Sequence, residues 1–178
     1  MLKLFSLVFT FFLVGCSAVP DKNEDRISTL IKESEDNNHL AQAKLSLLYM
    51  EGVSVEQNLG KAFELLKKSS EDIYAINKVY KQASSENNAA AEYGLYAMWS
   101  EGWGVPRNVK IASKHLQKSA ELDFPRAMYV LGLNYRANIY GVKEDLEKSY
   151  YWLHKAGEHG IDVKRHLEYN KRLNRTPQ

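Results

Sequence analysis

Apolar residues recur along most of this chain at the three-to-four spacing of a helix, with polar positions falling on the opposite face. Three stretches, beginning at Ala41, Ala91 and Ala127, repeat that spacing in the same internal order. In each, a small residue, a leucine and an aromatic ring stand at i, i+4 and i+8: Ala41/Ala91/Ala127, Leu45/Leu95/Leu131 and Tyr49/Trp99/Tyr135. They form one stripe of a first helix and are expected in the core. Gly52, Gly102 and Asn138 follow, where a left-handed residue ends that helix. Val55, Val105 and Val142 are expected to plug the loop, and Asn58, Asn108 and Asp145 stand where a side-chain oxygen caps a second helix. Ala62, Ala112 and Ser149 let that helix pack closely on the first, and Lys68, Lys118 and Lys155 recur near its end. Each unit reads as a helical hairpin that cannot bury its apolar face alone, so the units must stack.

The period is uneven. Units two and three start 36 residues apart, whereas units one and two start 50 apart. The surplus falls at 71–88, where Ile73, Ile76, Val79 and Tyr80 make a stripe that predicts an extra helix at about 72–86. After the repeats (about 41–70, 91–120 and 127–157, within 39–160), residues 161–178 predict a capping helix and tail. Val163, Leu167 and Leu173 would face inward there, with Lys164, Arg165, Lys171, Arg172 and Arg175 toward water. Before the repeats, residues 16–38 read as a tether at 19–24 and a modest helix at 25–36. Strand-type alternation is scarce, so the fold class is all-α: a short right-handed α-solenoid of stacked helical hairpins.

The first 15 residues are different. Lys3 precedes an apolar run at 4–14, which suits the core of a signal peptide and is too short for the ~20 residues of a membrane span. Leu13-Val14-Gly15-Cys16 then resembles the lipobox of bacterial lipoproteins. That resemblance implies cleavage before Cys16, acylation of its thiol and a lipid anchor; an ordinary signal peptide or a buried core helix is the alternative. Several acyl chains anchor a protein durably where one does not. Ser17, rather than an aspartate, resembles sorting to the outer membrane, facing the periplasm. Cys16 is the only cysteine, so no disulfide framework exists.

The repeated residues resemble the Sel-1-like repeat, a relative of the tetratricopeptide repeat, with the pattern A-x3-L-G-x2-Y-x2-G-x-G-V-x2-D-x2-K-A-x2-W-x2-K-A-A. The third unit matches best, through Leu131-Gly132, Tyr135, Gly141-Val142, Asp145, Lys148, Trp152 and Lys155-Ala156. The second keeps Gly102, Gly104-Val105-Pro106 and Lys118. In the first, Ser46 replaces the glycine after leucine, and Ser69-Ser70 replace the alanine pair. The resemblance implies that first helices line a concave face, at Ala43/Tyr93/Tyr129, Leu47/Ala97/Leu133, Met50/Ser100/Arg136 and Glu51/Glu101/Ala137. Tyr93, Tyr129, Glu101, Arg136 and the neighbouring Arg126 are therefore the candidate contacts of a protein partner, tyrosine and arginine being frequent interface anchors. The other reading of Tyr93 and Tyr129 is that they pack on each other between units.

Composition narrows the chemistry. A formal charge of +2 argues against a nucleic-acid binder, which would show a basic stripe. No nucleophile elbow, zinc-protease motif, phosphate-binding loop or dinucleotide fingerprint occurs, and no serine precedes a lysine by three. His39, His115, His154, His159 and His166 are scattered without metal-ligand spacing and read as surface histidines, so no metal or cofactor is expected. The expectation is a non-enzymatic, membrane-tethered protein-binding module. Small Sel-1-like lipoproteins resemble immunity proteins that neutralise secreted antibacterial effectors, type VI phospholipases among them. A scaffold or regulator of envelope assembly is the alternative, and β-lactam binding or hydrolysis is the enzymatic one.

Overall fold

The computed structural model describes residues 22–139 and 142–173, and these are helical throughout with no strand among them. Helix α1 (Lys22–Glu35) takes in part of the expected tether and packs on α2 (His39–Glu51). Three hairpins follow: α2 with α3 (Leu59–Ser69), α6 (Ala89–Glu101) with α7 (Val109–Glu121), and α8 (Pro125–Ala137) with α9 (Leu146–Glu158). Helix α10 (Lys164–Leu173) packs on α9 and covers the far end. None of the described helices is long and apolar enough to cross a membrane.

Each hairpin turn is built the same way. Gly52 (φ 70°), Gly102 (φ 80°) and Asn138 (φ 52°) take the left-handed conformation that ends the first helix. The side chains of Asn58, Asn108 and Asp145 then accept from backbone N–H groups at the start of the second helix. The same three residues donate their own N–H to the carbonyl of the recurring aromatic: Asn58 to Tyr49 at 2.9 Å, Asn108 to Trp99 at 2.8 Å and Asp145 to Tyr135 at 2.9 Å. One short sequence pattern thus fixes the angle between the two helices in every hairpin. Asn38 and Asn88 cap α2 and α6 as well, whereas Pro125 simply supplies the preset first residue of α8.

The recurring rings sit differently from expectation. Tyr49, Trp99 and Tyr135 are half-buried, because each lies at the hairpin's open edge. Lys61 and Lys148, three residues past their caps, lie over the Tyr49 and Tyr135 rings at 5.4 Å from the centroid. Trp152 is half-buried too, edge-on to Tyr151 and beneath Lys155, while its neighbour Leu153 occupies the core. The loop valines Val55, Val105 and Val142 are likewise half-buried. At the C-terminal end Val163 is buried and Leu167 half-buried, but Leu173 is exposed. The inward position in the last turn belongs to Asn170, which donates to Ser149 Oγ at 2.9 Å.

The segment between the first two hairpins forms one helical run: α4 (Ile73–Ile76), a π-helical turn (Asn77–Lys81) and α5 (Gln82–Ser85). A π turn carries an extra residue and re-aims the side chains after it. Ile73 is exposed and Val79 half-buried, but Ile76 and Tyr80 are fully buried. The Tyr80 ring lies against Gly94 of α6 so closely that a β-carbon there would overlap it. Its hydroxyl meets Ser46 Oγ of α2 at 2.6 Å. Ser46 gives its own proton to the Ala43 carbonyl at 2.8 Å, so Tyr80 is the donor. Ser46, where the repeat pattern has glycine, is the acceptor for a ring that joins two hairpins. Burial pushes the Tyr80 hydroxyl far above its usual range, so it stays protonated and able to donate.

This joint yields a graded expectation. Removing the hydroxyl alone, Tyr80→Phe, lowers unfolding stability by about 1 kcal/mol. Removing the ring, Tyr80→Ala, lowers it by about 3–5 kcal/mol. Urea titration of both variants measures the two steps; a Tyr80→Ala chain as stable as the parent would contradict the joint.

Candidate protein-binding site

The five candidate contact residues separate into three groups. Tyr93 is 4% exposed and belongs to the core, correcting its assignment to an open groove. Its ring packs against Phe63 of the first hairpin at 5.7 Å, Tyr96 at 5.6 Å and Phe124 before α8 at 5.0 Å. It is mortar between units, with Phe63 and Phe124 as its inter-unit partners. Ala43, Met50, Ala97 and Ser100 of the expected concave positions are buried as well, because the hairpins close on each other there. Glu101 stands apart, exposed at the end of α6, its carboxylate in no hydrogen bond or ion pair among the described residues. Its counterpart Glu51 accepts from Asn88 Nδ2 at 2.5 Å and so serves the joint. Cys16 lies outside the described residues.

Of the remaining three, Tyr129 meets Arg126 directly and Arg136 only by way of His166. Arg126, in the first turn of α8, lies 5.2 Å from the Tyr129 ring centroid and near enough to the Tyr93 hydroxyl for its charge to act there. Burial pushes that hydroxyl up, and the Arg126 charge opposes the shift. Tyr129, one turn on, is half-buried with its oxygen 3.1 Å from His166 Nε2 of α10. Arg136, in the last turn of α8, has Nη1 3.1 Å from His166 Nδ1 and its guanidinium over the Tyr169 ring at 5.2 Å.

These contacts determine where the His166 proton sits. A guanidinium can only donate, so Nδ1 is an acceptor and the neutral ring carries its proton on Nε2. His166 therefore donates to the Tyr129 oxygen. Burial, then the Arg136 and Arg165 charges, lower the His166 pKa below its ordinary 6.5, with Asp162 opposing. The imidazole is neutral at pH 7, and it ties α8 to α10.

His166, Tyr169, Arg165 and Arg172 were missed in the sequence, where His166 reads as a surface histidine and the basic residues as a solvated face. With Arg136 and Glu168 they line an open cavity of about 590 Å³ between the end of α8 and α10. The only sequence signal is that His166, Tyr169 and Arg172 or Leu173 share one face of a short helix at i, i+3 and i+6 or i+7.

A second polar cluster lies inside the stack. Glu92 of α6 is fully buried and meets His115 Nδ1 at 2.7 Å, Lys118 Nζ at 2.5 Å and Ser84 Oγ at 2.6 Å. Burial alone would push its carboxyl up, but the bonds from His115, Lys118 and Ser84 outweigh that and hold it below the usual range. The charge is satisfied from α7 and from the inserted helical run together. Among the described residues no group of three or more His, Cys, Asp or Glu is placed to hold a metal ion.

Three hairpins with these turns carry a family signature: the Sel1 repeat model matches residues 39–72, 87–124 and 125–161. The chain belongs to the Sel1 repeat family. Sel1 repeats form protein-interaction scaffolds, and the family is typically a non-catalytic binding fold. Among solved structures, the chain is similar to a Sel1 repeat protein from Oxalobacter formigenes, at 26% identity over 80% of this chain and 97% of that one, with a TM-score of 0.47. It is also similar to c5321, a protective antigen of uropathogenic Escherichia coli strains with an SLR fold, at 21% identity over 82% of this chain and 36% of that one, with a TM-score of 0.49. No curated protein matches the chain.

The neutral state of His166 has a consequence for stability. Its folded pKa is depressed, so the unfolded chain binds more protons once pH falls below about 6.5. The stability held by the neutral ring is present above that value and lost as pH falls through the folded pKa. Unfolding free energy measured from pH 7.5 to 5 should decline with acid, and His166→Gln should flatten the decline. Equal slopes in the two proteins would contradict the assigned proton position.

Proposed function

We propose that this Sel1 repeat chain is a lipid-tethered, non-enzymatic module of the bacterial envelope that binds a protein partner through the arginine–tyrosine cluster of α8 and α10. The observation that carries this reading is the cavity at the C-terminal end of the stack, where Arg136, Arg165 and Arg172 gather around the half-exposed Tyr169 ring. Arg136 and Tyr169 are held in place before any partner arrives, which reduces the ordering cost of binding. Tyrosine and arginine are the side chains that most often anchor an interface. The tether rests on the lipobox-like Leu13-Val14-Gly15-Cys16, with the outer membrane as its site and the periplasm as the facing compartment.

The role we assign is immunity: capture of a secreted antibacterial effector, such as a type VI phospholipase, as it enters the periplasm. Blocking an active site needs a complementary surface and no chemistry, which suits a small rigid stack. A scaffold in envelope assembly is the competing role.

One cell-based experiment separates these. A photo-crosslinking amino acid is placed at Tyr169 and, separately, at exposed Lys114 of α7, in the full chain in its source bacterium. The expected result is a protein adduct from position 169 and none from 114. A deletion strain should lose at least tenfold to its parent in contact on a solid surface and compete equally in liquid. Equal competition on both would remove the immunity role, and adducts only from 114 would remove the binding site. Radioactive fatty acid should label the parent chain and not Cys16→Ser; equal labelling would remove the tether.

A further inference from the structure

The cavity between α8 and α10 has a charge pattern that goes further than a general interface. Its lining sets three guanidinium groups, Arg136, Arg165 and Arg172, against one carboxylate, Glu168. None of the three is in an ion pair with a carboxylate among the described residues. Among the described residues only Lys68, Lys118, Lys148 and Lys155 of the lysines and arginines pair with a carboxylate, so what distinguishes this cavity is that three unpaired guanidinium groups line one wall. The positive charge here is left open.

The arginines are also oriented. Arg136 is held from behind by the His166 Nδ1 lone pair and from the side by the Tyr169 ring. With one N–H of its fork bound, the others remain for a planar acceptor, which is how guanidinium takes a carboxylate. Tyr169 is 51% exposed, so half of its surface is left for an apolar neighbour. Arg165 and Arg172 stand nearly two helical turns apart on α10, both on the cavity wall.

We infer that this cavity is a receptor for an acidic peptide segment: an aspartate or glutamate carboxylate placed between Arg136, Arg165 and Arg172, with an adjoining apolar side chain on Tyr169. The inference rests on the protein-binding reading and gives that partner its chemistry. The position in the stack favours a protein segment over a lipid headgroup. The cavity is formed by the last helix, whereas the segment leading to the proposed anchor precedes α1 at the other end. The cavity volume of about 590 Å³ suits a few side chains rather than a whole domain edge.

Fluorescence anisotropy on the full chain in detergent tests this directly. The probes are a labelled peptide of alternating glutamate and phenylalanine, its glutamine counterpart, and vesicles containing phosphatidylglycerol. The glutamate peptide should bind and the glutamine peptide should not. Arg165→Glu with Arg172→Glu should weaken binding at least tenfold, while Lys110→Glu with Lys114→Glu, an equal charge change on α7, should alter it less than twofold. All four positions are exposed, so helical content should stay unchanged in both variants. Equal loss in the two double variants would mean diffuse attraction and overturn the receptor. So would equal binding of the glutamine peptide, or vesicle binding through Arg165 and Arg172 without peptide binding. Should position 169 still crosslink a partner after Arg165→Glu and Arg172→Glu, the receptor fails and the binding reading survives. Loss of all crosslinking in the parent chain removes that reading itself.

Discussion

A two-helix hairpin has too little interior to hold its own shape, so everything in this molecule depends on how one hairpin is fastened to the next. At the first joint the fastener is Tyr80, supplied by the inserted run rather than by either hairpin. Its ring fills the space that Gly94 leaves open, and its hydroxyl ends on Ser46. The π turn aims it there. At the second joint Tyr93 does comparable work, gripped between Phe63 behind and Phe124 ahead. Small residues such as Ala91, Ala120 and Ala127, all fully buried, let the helices approach closely enough for those rings to reach across.

Polar contacts then select a single arrangement of the joints. The Glu92 carboxylate is buried where only a complete set of donors makes it tolerable, and the donors come from α7 and the insertion. Lys118 also bonds the Ser84 carbonyl, and Ser119 donates to the Ala89 carbonyl, so the same few residues lock α7 to two segments. The lysine that recurs in each hairpin thus has different duties. Lys118 completes the Glu92 charge pair, Lys155 covers Tyr151 and Trp152, and Lys68 makes an exposed pair with Glu64.

The repeat was legible because its signals are local: a glycine or asparagine that must be left-handed, a cap, a stripe at helical spacing. Burial at a repeat position was less legible. Tyr93 and Tyr129 occupy equivalent places in neighbouring hairpins, yet one is buried because a further hairpin stacks on each side of it. The other has only the single helix α10, not a further hairpin, on its outer side. Equivalent positions have unequal neighbours at the end of a short stack. The cluster around His166 was invisible for a related reason: it joins residues 37 and 30 positions apart, across elements whose packing no periodicity encodes. Leu173 misled in the same way, an apolar residue in register whose inward place is taken by Asn170 bonding Ser149.

In functional terms the stack is a rigid platform, and its C-terminal end is the reading head we propose. Hydrogen exchange on the full chain, with and without its captured partner, tests that claim most directly. Added protection is predicted in residues 126–136 and 164–173, with 41–69 unchanged. Protection confined to α2 and α3, with α10 exchanging as in the free protein, would contradict it.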